Sequence, residues 1–249
     1  MLVLLSPSKK IENTTPTGMR VTEPALKEDA HSLVKTLKGY SKKDIQNLMK
    51  LSDNLAQLNH ARYQDFGELE EGPALFTFKG DVYDKMDVEN YDKDDLEFAQ
   101  KHVRILSGLY GVLRPLDAMR PYRLEMGTRL ETDNGKNLYG FWGDKITDTL
   151  NKVGEDVVLN LASQEYFKAV KPEALNAHIV HVDFKHTKNG KTKTIGLMAK
   201  RARGLMTDFI IKNRITDPSG LEGFDLEGYR FEPDMSDDST MTFTLNMDK

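Results

Sequence analysis

The chain has 249 residues, of which 39% are hydrophobic and 30% are charged, and its net charge at pH 7 is −4. These proportions are typical of a folded globular protein and exclude an intrinsically disordered one. The absence of cysteine excludes disulfides, thiolate nucleophiles and cysteine-ligated zinc or iron–sulfur sites. No apolar run is long enough to cross a bilayer and no signal peptide is apparent, so we expect a cytoplasmic protein without a membrane partner.

In the first half of the chain, the hydrophobic pattern predicts two strands and three helices. The strands are expected at 2–5 and 74–78, because each is a short, mostly apolar run. Amphipathic helices are predicted at 23–37, 41–66 and 94–106. Helices therefore separate these two strands along the chain.

The second half predicts a helix at 138–153 and a buried strand at 156–161. A β-hairpin is expected over 177–199, because Asn189-Gly190 is the strongest short-range hairpin signal in the chain. A basic amphipathic helix is predicted at 200–214. Together these elements predict a mixed α/β fold, formed by one mixed sheet flanked by helices in a single domain over the whole chain.

Basic residues are concentrated in two segments. The first basic segment (101–129) holds six Lys or Arg against two acids, and the second basic segment (185–214) holds nine against one. The C-terminal segment (217–249) reverses this balance, with nine acids and two bases. Because local fields decide which molecules approach a surface, the two basic segments favour a phosphate-rich partner.

The first basic segment contains Leu-Ser-Gly-Leu-Tyr-Gly-Val-Leu-Arg (106–114), which is similar to the turn of a helix–hairpin–helix element. Glycines in such a turn let backbone N–H groups approach a phosphate, and nearby cations add attraction. The alternative is a helix C-cap followed by an ordinary turn. The candidate DNA contacts in this segment are Lys101, Arg104, Gly108, Gly111 and Arg114.

The second basic segment contains Lys-Arg-Ala-Arg (200–203) near the start of its predicted helix, where anions are favoured. Elsewhere, Arg123 follows Tyr122, and the rings of Tyr122 and Trp142 are suited to stacking on bases. The alternatives are a solvated basic face and aromatic anchors of the core. The further candidate DNA contacts are Lys200, Arg201, Arg203 and Arg123.

Polar residues follow three of the predicted strands, at 6–9, 79–81 and 160–168. Since α/β sheets place ligands at the carboxyl ends of their strands, these residues would line one strand-end cleft if the strands are neighbours. A lysine beside carboxylates serves there as an acid, a base or a phosphate clamp. The alternative is structural ion pairing and helix capping. The candidate catalytic residues of this cleft are Lys9, Asp81, Tyr122, Glu165 and Lys168.

No metal site and no cofactor are predicted. His178, His181, Asp183 and His186 are close in sequence, but strand geometry places His178 and His181 on opposite faces. The chain also lacks the nucleophile-elbow, phosphate-loop and dinucleotide-binding motifs. Whether the protein is an enzyme is left open by these patterns.

Seven segments of the chain occur together, in the same order, in one known family. They are Leu-Ser-Pro-Ser-Lys (5–9), Phe-Lys-Gly-Asp-Val-Tyr (78–83), Leu-Ser-Gly-Leu-Tyr-Gly-Val-Leu-Arg-Pro-Leu-Asp (106–117), Pro-Tyr-Arg-Leu-Glu-Met-Gly (121–127), Phe-Trp-Gly-Asp (141–144), Asn-Leu-Ala-Ser-Gln-Glu-Tyr-Phe-Lys (160–168) and Ala-Arg-Gly-Leu-Met (202–206). On these motifs the chain resembles the YaaA family along nearly its full length.

The resemblance to YaaA implies a bacterial cytosolic protein of peroxide-stress resistance that lowers unincorporated intracellular iron. It also implies a family-specific single-domain fold that carries a helix–hairpin–helix element and binds duplex DNA. Carried over by motif, the hairpin falls on Gly108 and Gly111, with Arg104 and Arg114 as phosphate contacts.

Three hypotheses follow. The leading one is a DNA-binding stress protein that contacts the phosphate backbone largely independently of sequence, with a distorted duplex as one candidate target. The alternative is an enzyme that acts on a nucleotide or damaged base in the strand-end cleft. The third is an interaction protein that docks a partner through its acidic C-terminal segment. Oligomeric state is not predicted.

Overall fold

A computed structural model describes residues 1–248 of the chain. Its strands are β1 (Leu2–Leu5), β2 (Lys10–Ile11), β3 (Gly72–Pro73), β4 (Phe78–Lys79), β5 (Val103–Ser107), β6 (Gly111–Leu113), β7 (Ala118–Met119), β8 (Val157–Asn160), β9 (His178–Lys188), β10 (Lys191–Lys193), β11 (Arg230–Phe231) and β12 (Thr240–Asn246). Its α-helices are α1 (Lys27–Lys38), α2 (Lys42–Met49), α3 (Asp53–Gln64), α4 (Ala74–Thr77), α5 (Lys93–His102), α6 (Leu138–Trp142), α7 (Lys145–Asn151), α8 (Gln164–Phe167) and α9 (Gly196–Asn213).

Eight strands form one mixed sheet in the order β11-β12-β9-β8-β1-β5-β6, with β10 paired to β9. The five neighbours from β12 to β5 are parallel, whereas β6, β10 and β11 pair antiparallel. Every residue of β1 and β5 is buried, as expected for parallel strands covered on both faces. The predicted mixed α/β class, with a mixed sheet flanked by helices, is confirmed.

Strand β1 brings the loops of the site together. Its Leu4 lies opposite Arg104 of β5 and Asn160 of β8, so all three strands end at the same edge of the sheet. Beyond β8, the Leu161 N–H still donates to the Leu4 carbonyl at 3.0 Å. The polar loops that follow β1 and β8 therefore lie side by side.

The placement of a helix–hairpin–helix-like element at 106–114 is wrong, because this segment is a β-hairpin within the sheet. Helix α5 ends at His102, and β5 pairs antiparallel with β6, with Ser107 opposite Gly111. Every residue from 102 to 113 is buried, since this mostly apolar run enters the interior of the sheet. A short buried strand directly after an amphipathic helix has no periodicity that separates it from a further turn of helix.

The two glycines of this hairpin are used for packing inside the protein. Gly111 has φ +69°, and a Cβ there would lie 2.9 Å from the ring of Trp142. A Cβ on Gly108 would overlap the carbonyl oxygen of Leu124. The indole N–H of the fully buried Trp142 donates to the Gly108 carbonyl at 3.1 Å. Neither glycine is free to bring its backbone against a phosphate, which removes the basis for proposing them as DNA contacts.

Other sequence predictions differ in detail from the structure. The helix predicted at 41–66 is divided into α2 and α3 at Lys50, which adopts a left-handed conformation with φ 52°. The helix predicted at 138–153 is likewise divided into α6 and α7 at Gly143, with φ 50°. The strand predicted at 74–78 is the single helical turn α4. In each case, local backbone geometry overrides an apolar pattern that was extended too far.

The β-hairpin at Asn189-Gly190 is confirmed, but its second strand is shorter than predicted, because β10 ends at Lys193 and residues 196–199 form the start of α9. Asn189 and Gly190 both have positive φ, at 51° and 70°, as the favoured two-residue hairpin turns require.

Further along, the acidic C-terminal segment is not a free tail, because β12 lies inside the sheet between β9 and β11. Phe243 of β12 is fully buried, so a deletion of the last dozen residues would remove part of the core.

One continuous cluster of buried side chains extends from Met1 to Phe243. It takes in the strands of the central sheet and the inner faces of the helices, including Leu33 of α1 and Ile210 of α9. No helix found between residues 1 and 248 is long and apolar enough to cross a membrane.

Candidate binding cleft at the strand ends

A cavity of about 600 Å³ lies at the carboxyl ends of β1 and β8. It occupies the position expected of a ligand site in an α/β sheet, and we keep the name strand-end cleft for it. Its wall is formed by Ser6, Pro7, Ser8, Lys9, Lys10, Gly80, Asp81, Val82, Tyr83, Glu125, Leu161, Ser163, Gln164, Glu165, Tyr166, Lys200 and Arg203.

Hydrogen bonds fasten the loops of the cleft to one another. The Ser163 N–H donates to Ser6 Oγ at 2.8 Å, and the two serine hydroxyls lie 3.2 Å apart. The hydroxyl of the buried Tyr83 donates to the Ser6 carbonyl at 2.9 Å. Ser6 thereby joins the loops that follow β1, β4 and β8, so this part of the wall is formed before any ligand arrives.

Helix α9 reaches the cleft because Gly204 lets it approach another segment closely. A Cβ on Gly204 would overlap the carbonyl oxygen of Val82, another residue of the wall. This contact places Lys200 and Arg203, which are neighbours at helical spacing, at the cleft. The two cations therefore approach from a helix that is distant in sequence from the other wall loops.

Arg203 is the least satisfied cation of the cleft. Its Nε is buried and has no hydrogen-bond partner in the described part of the chain, and no carboxylate among residues 1–248 lies within ion-pair distance of its guanidinium. Burial lowers the pKa of Arg203 below its ordinary value, with a smaller opposing effect from Asp183. An arginine nevertheless stays charged at neutral pH. A half-buried guanidinium without an anion favours binding of one.

Lys9 has a fixed partner. Its Nζ lies 2.6 Å from Glu125 Oε2, and Arg123 Nη2 donates to the other oxygen of this carboxylate at 3.0 Å. Burial raises the pKa of Glu125, but the hydrogen bonds from Lys9 and Arg123 lower it further than burial raises it, so the net shift is downward. Glu125 is therefore an anion at neutral pH that holds Lys9 at the rim of the cleft.

Glu165 is held by two hydrogen bonds, one to its carboxylate and one to its backbone carbonyl. Its carboxylate accepts from the Gly127 N–H at 2.9 Å, and its carbonyl accepts from the Tyr139 hydroxyl at 2.9 Å. The neighbouring Tyr166 is buried in the wall, and burial raises the pKa of its hydroxyl well above the ordinary value. Tyr166 therefore remains neutral, and the carboxylates near it are Glu125 and Glu165.

The structure brings together three of the five candidate catalytic residues. Lys9, Asp81 and Glu165 line the strand-end cleft. Tyr122 is buried away from the wall, with its hydroxyl 2.7 Å from Ser107 Oγ. Lys168 is exposed, and its Nζ lies 5.2 Å from the centre of the Tyr139 ring.

The DNA contacts proposed for the first basic segment are not gathered on one surface. Arg104 is buried, and its guanidinium donates to the carbonyls of residues 100, 101 and 103. Arg114 donates to the buried Asp117 at 3.0 Å and to the Glu23 carbonyl. Lys101 alone is exposed at the end of α5. In the second basic segment, by contrast, Arg201 is exposed on α9 beside the two cations of the cleft.

Sequence reasoning missed Glu125 as a member of this wall. Glu125 was visible only as part of a mixed aromatic and charged motif, and its position depends on the fold of the loop at 121–127. Ser163 belongs to the 160–168 segment that the sequence placed at the cleft, and it does line the wall. Arg203 was singled out for its charge, but its place in the cleft follows only from the close contact of Gly204 with Val82.

No group of three or more His, Cys, Asp or Glu side chains suited to hold a metal ion occurs within residues 1–248.

Comparison with known proteins gives consistent matches along the chain. The family model described as peroxide stress protein YaaA matches residues 1–235. A UPF0246 protein of Acaryochloris marina is 50% identical over 252 residues, which covers 99% of this chain and 100% of that protein. A UPF0246 protein of Saccharophagus degradans is 49% identical over 253 residues, covering 98% and 99%. Every wall residue of the strand-end cleft lies inside the region matched by the family model.

Proposed function

The chain belongs to the YaaA family of peroxide stress proteins, and we propose that it contributes to peroxide resistance by binding the phosphate groups of DNA in the strand-end cleft. The observation that carries this proposal is Arg203, a half-buried cation without a partner at the wall of a cavity of about 600 Å³. A phosphate would supply both the missing charge and the missing hydrogen-bond acceptor. The protein would act in the cytoplasm, where DNA is exposed to peroxide.

Further cations support a phosphate-bearing ligand over a neutral one. Lys200 lies one helical turn from Arg203, and Lys9 and Lys10 also line the cleft, where they pair with Glu125 and Glu12. Neither Lys200 nor the exposed Arg201 has an ion-pair partner in the described residues. Such contacts go to the phosphate backbone, so binding would be largely independent of sequence and weakened by salt.

The test is a fluorescence-anisotropy titration of duplex, bubble and single-stranded DNA at several salt concentrations. Arg203→Gln should weaken binding about tenfold, because a hydrogen bond to a charged group contributes about 1.5–3 kcal/mol. The matched control is Arg20→Gln, which removes the same charge at an exposed position outside the cleft wall. Equal effects of the two variants, or no binding at low salt, would overturn the assignment of the cleft.

An enzymatic function is the second candidate, and the placement of Lys9 favours it. Lys9 Nζ lies 2.6 Å from Glu125 at the rim of the cleft, with Asp81 and Glu165 on the same wall. A lysine paired with a carboxylate is suited to proton transfer on a nucleotide or damaged base. Release of a free base or sugar from damaged DNA by the wild-type protein, and not by Lys9→Ala, would establish it.

The proposed effect on iron is a separate step. Less unincorporated iron would reduce the formation of hydroxyl radicals from peroxide near DNA, and the YaaA family suggests this role. The measurement is electron paramagnetic resonance of chelator-accessible iron in peroxide-stressed cells that express either wild-type protein or Arg203→Gln. A lower iron signal with wild type than with the variant would connect the iron effect to the cleft, and equal signals would separate them.

A further inference from the structure

A second cavity, of about 760 Å³, adjoins the strand-end cleft. The two cavities share Lys9, Glu125 and Glu165 in their walls. The Lys9–Glu125 ion pair therefore stands between two open spaces instead of closing one. We call the second space the adjoining cavity; beyond the shared residues, its wall includes the end of α2 and residues 127–129.

The adjoining cavity has free cations of its own. Lys50 and Arg129 are exposed in its wall, and within residues 1–248 neither side chain has an ion-pair or hydrogen-bond partner. Lys50 is held there by backbone geometry, since it caps α2 in a left-handed conformation and its N–H donates to the Gln46 carbonyl. Both cations therefore face solvent without competition from the protein's own carboxylates.

The same wall offers apolar surface. Leu48 and Met49 are half-buried at the end of α2 and line the adjoining cavity together with its cations. Aromatic bases pack on such side chains, and methionine adapts to irregular shapes. Phosphate-binding cations next to an apolar wall are the combination that a nucleotide requires.

The partition between the cavities is rigid. The Gly127 N–H donates to the Glu165 carboxylate, and the Thr128 N–H closes a turn onto the Glu125 carbonyl at 3.0 Å. Arg123 and Lys9 both hold the Glu125 carboxylate in place. A ligand that occupies both cavities must therefore pass across a fixed ridge, which suits an extended, flexible chain.

We infer that the adjoining cavity is a second nucleotide subsite, and that the ligand of the two cavities together is an unpaired DNA strand of several nucleotides. This inference rests on the proposed function of the strand-end cleft. Arg203 lies in the wall of one cavity and Arg129 in the wall of the other, and a single strand carries a phosphate at every nucleotide, so it can supply one phosphate to each cation. Each cavity has the size of a small-molecule site and is large enough to admit one nucleotide. In a distorted duplex, the unpaired segment would supply this strand.

The experiment compares thymidine monophosphate with oligothymidylates of two, four and six nucleotides, in wild type and in Lys50→Gln/Arg129→Gln. Wild-type affinity should rise about tenfold or more from the monophosphate to the tetramer, as further phosphate and stacking contacts form. The double variant should bind the monophosphate as wild type does and lose this gain. Each phosphate contact on a single strand contributes about 0.7 to the slope of log affinity against log salt. For tetramer binding, the slope of the double variant should therefore be about 1.4 smaller than that of wild type.

The matched control is Lys43→Gln/Arg20→Gln, which removes the same two charges outside both cavity walls and should leave the gain with length unchanged. A tetramer that binds no more tightly than the monophosphate, or a duplex of equal length that binds more tightly than the single strand, would overturn the inference. In either case, binding of the monophosphate that depends on Arg203 would still support the proposed phosphate site in the strand-end cleft. Loss of monophosphate binding in Arg203→Gln but not in the double variant therefore separates the two proposals.

Discussion

The two basic segments differ in what their cations contact. In the first basic segment, Arg114 pairs with Asp117, Arg120 with Glu71 and Arg123 with Glu125. In the second basic segment, the residues nearest the cleft are unpaired: among residues 1–248, Lys200, Arg201 and Arg203 have no carboxylate within ion-pair distance. The three paired arginines of the first basic segment therefore stabilise the fold, whereas these three cations of the second basic segment remain available to a ligand.

This difference shows that a count of charges does not identify a binding surface. Arg104 carries its charge into the sheet, where three backbone carbonyls accept its hydrogen bonds and burial lowers its pKa to about 10. The second basic segment is itself divided, because Lys212 and Arg214 at the end of α9 both bind the buried Asp95. What decides the role of each cation is whether an acceptor of the protein already lies within reach.

The largest expected effect tests the structural role of the first basic segment. Gly108→Ala should lower the free energy of unfolding by about 3 kcal/mol, because its Cβ would overlap the Leu124 carbonyl. Urea denaturation measures this, with Gly67→Ala as the control, since a Cβ at Gly67 meets no atom within 4 Å. If Gly108→Ala kept wild-type stability but lost DNA affinity, the result would instead support a phosphate-binding hairpin at this position.

Arg114→Gln is expected to have the next largest effect on stability. It leaves the carboxylate of Asp117, which is 1% exposed, without its charged partner. The expected loss is about 2 kcal/mol of unfolding free energy, reduced from the value for a fully buried pair because Arg114 is partly exposed. Urea denaturation of the variant measures the loss. Unchanged stability would mean that Arg114 is free for another role.

Arg203→Met should change the stability of the protein in the opposite direction. It replaces a half-buried, unpartnered cation with an apolar side chain, so the unfolding free energy should rise by about 1 kcal/mol. Thermal and urea unfolding measure the gain, and Arg201→Met on the exposed face of α9 is the control. A clear loss of stability would indicate that Arg203 has a structural partner, in conflict with its role as a ligand contact.

The smallest effect concerns Glu125, whose pKa is lowered in the folded protein by Lys9 and Arg123. A lowered folded pKa means that the stabilisation is present above the ordinary glutamate pKa of about 4.3 and is lost as the pH falls through the folded value. Glu125→Gln should therefore cost up to about 1 kcal/mol at pH 7 and less at pH 3. The same difference from wild type at both pH values would contradict the ion pair.

Much of the fold could be predicted from the sequence. The apolar run at 2–5, the buried strand near 157–160 and the Asn189-Gly190 hairpin are confirmed, because each has a local signal that burial or turn geometry enforces. The family resemblance, which rests on seven ordered motifs, is confirmed by the match over residues 1–235. The Leu106–Arg114 segment was mistaken for a hairpin between helices, since glycines required for packing and glycines required for phosphate contact look the same in a sequence.

The site was predicted only in part, for a topological reason. Lys9 and Glu165 could be placed at strand ends, and the adjacency of β1 and β8 then brings them to one cavity. The position of Arg203 depends on the packing of α9 against Val82, and that of Glu125 on a loop that passes over Gly108. Neither contact leaves a local pattern, because both join segments that are distant along the chain.

The most direct test of the contrast between the two segments is the salt dependence of DNA binding, measured side by side for Arg203→Gln and Arg114→Gln. If Arg203 contacts phosphate and Arg114 does not, Arg203→Gln should reduce the slope of log affinity against log salt by about 0.7–0.9. Arg114→Gln, measured at a temperature where it remains folded, should leave that slope unchanged. A reduced slope for Arg114→Gln with a wild-type slope for Arg203→Gln would contradict the account.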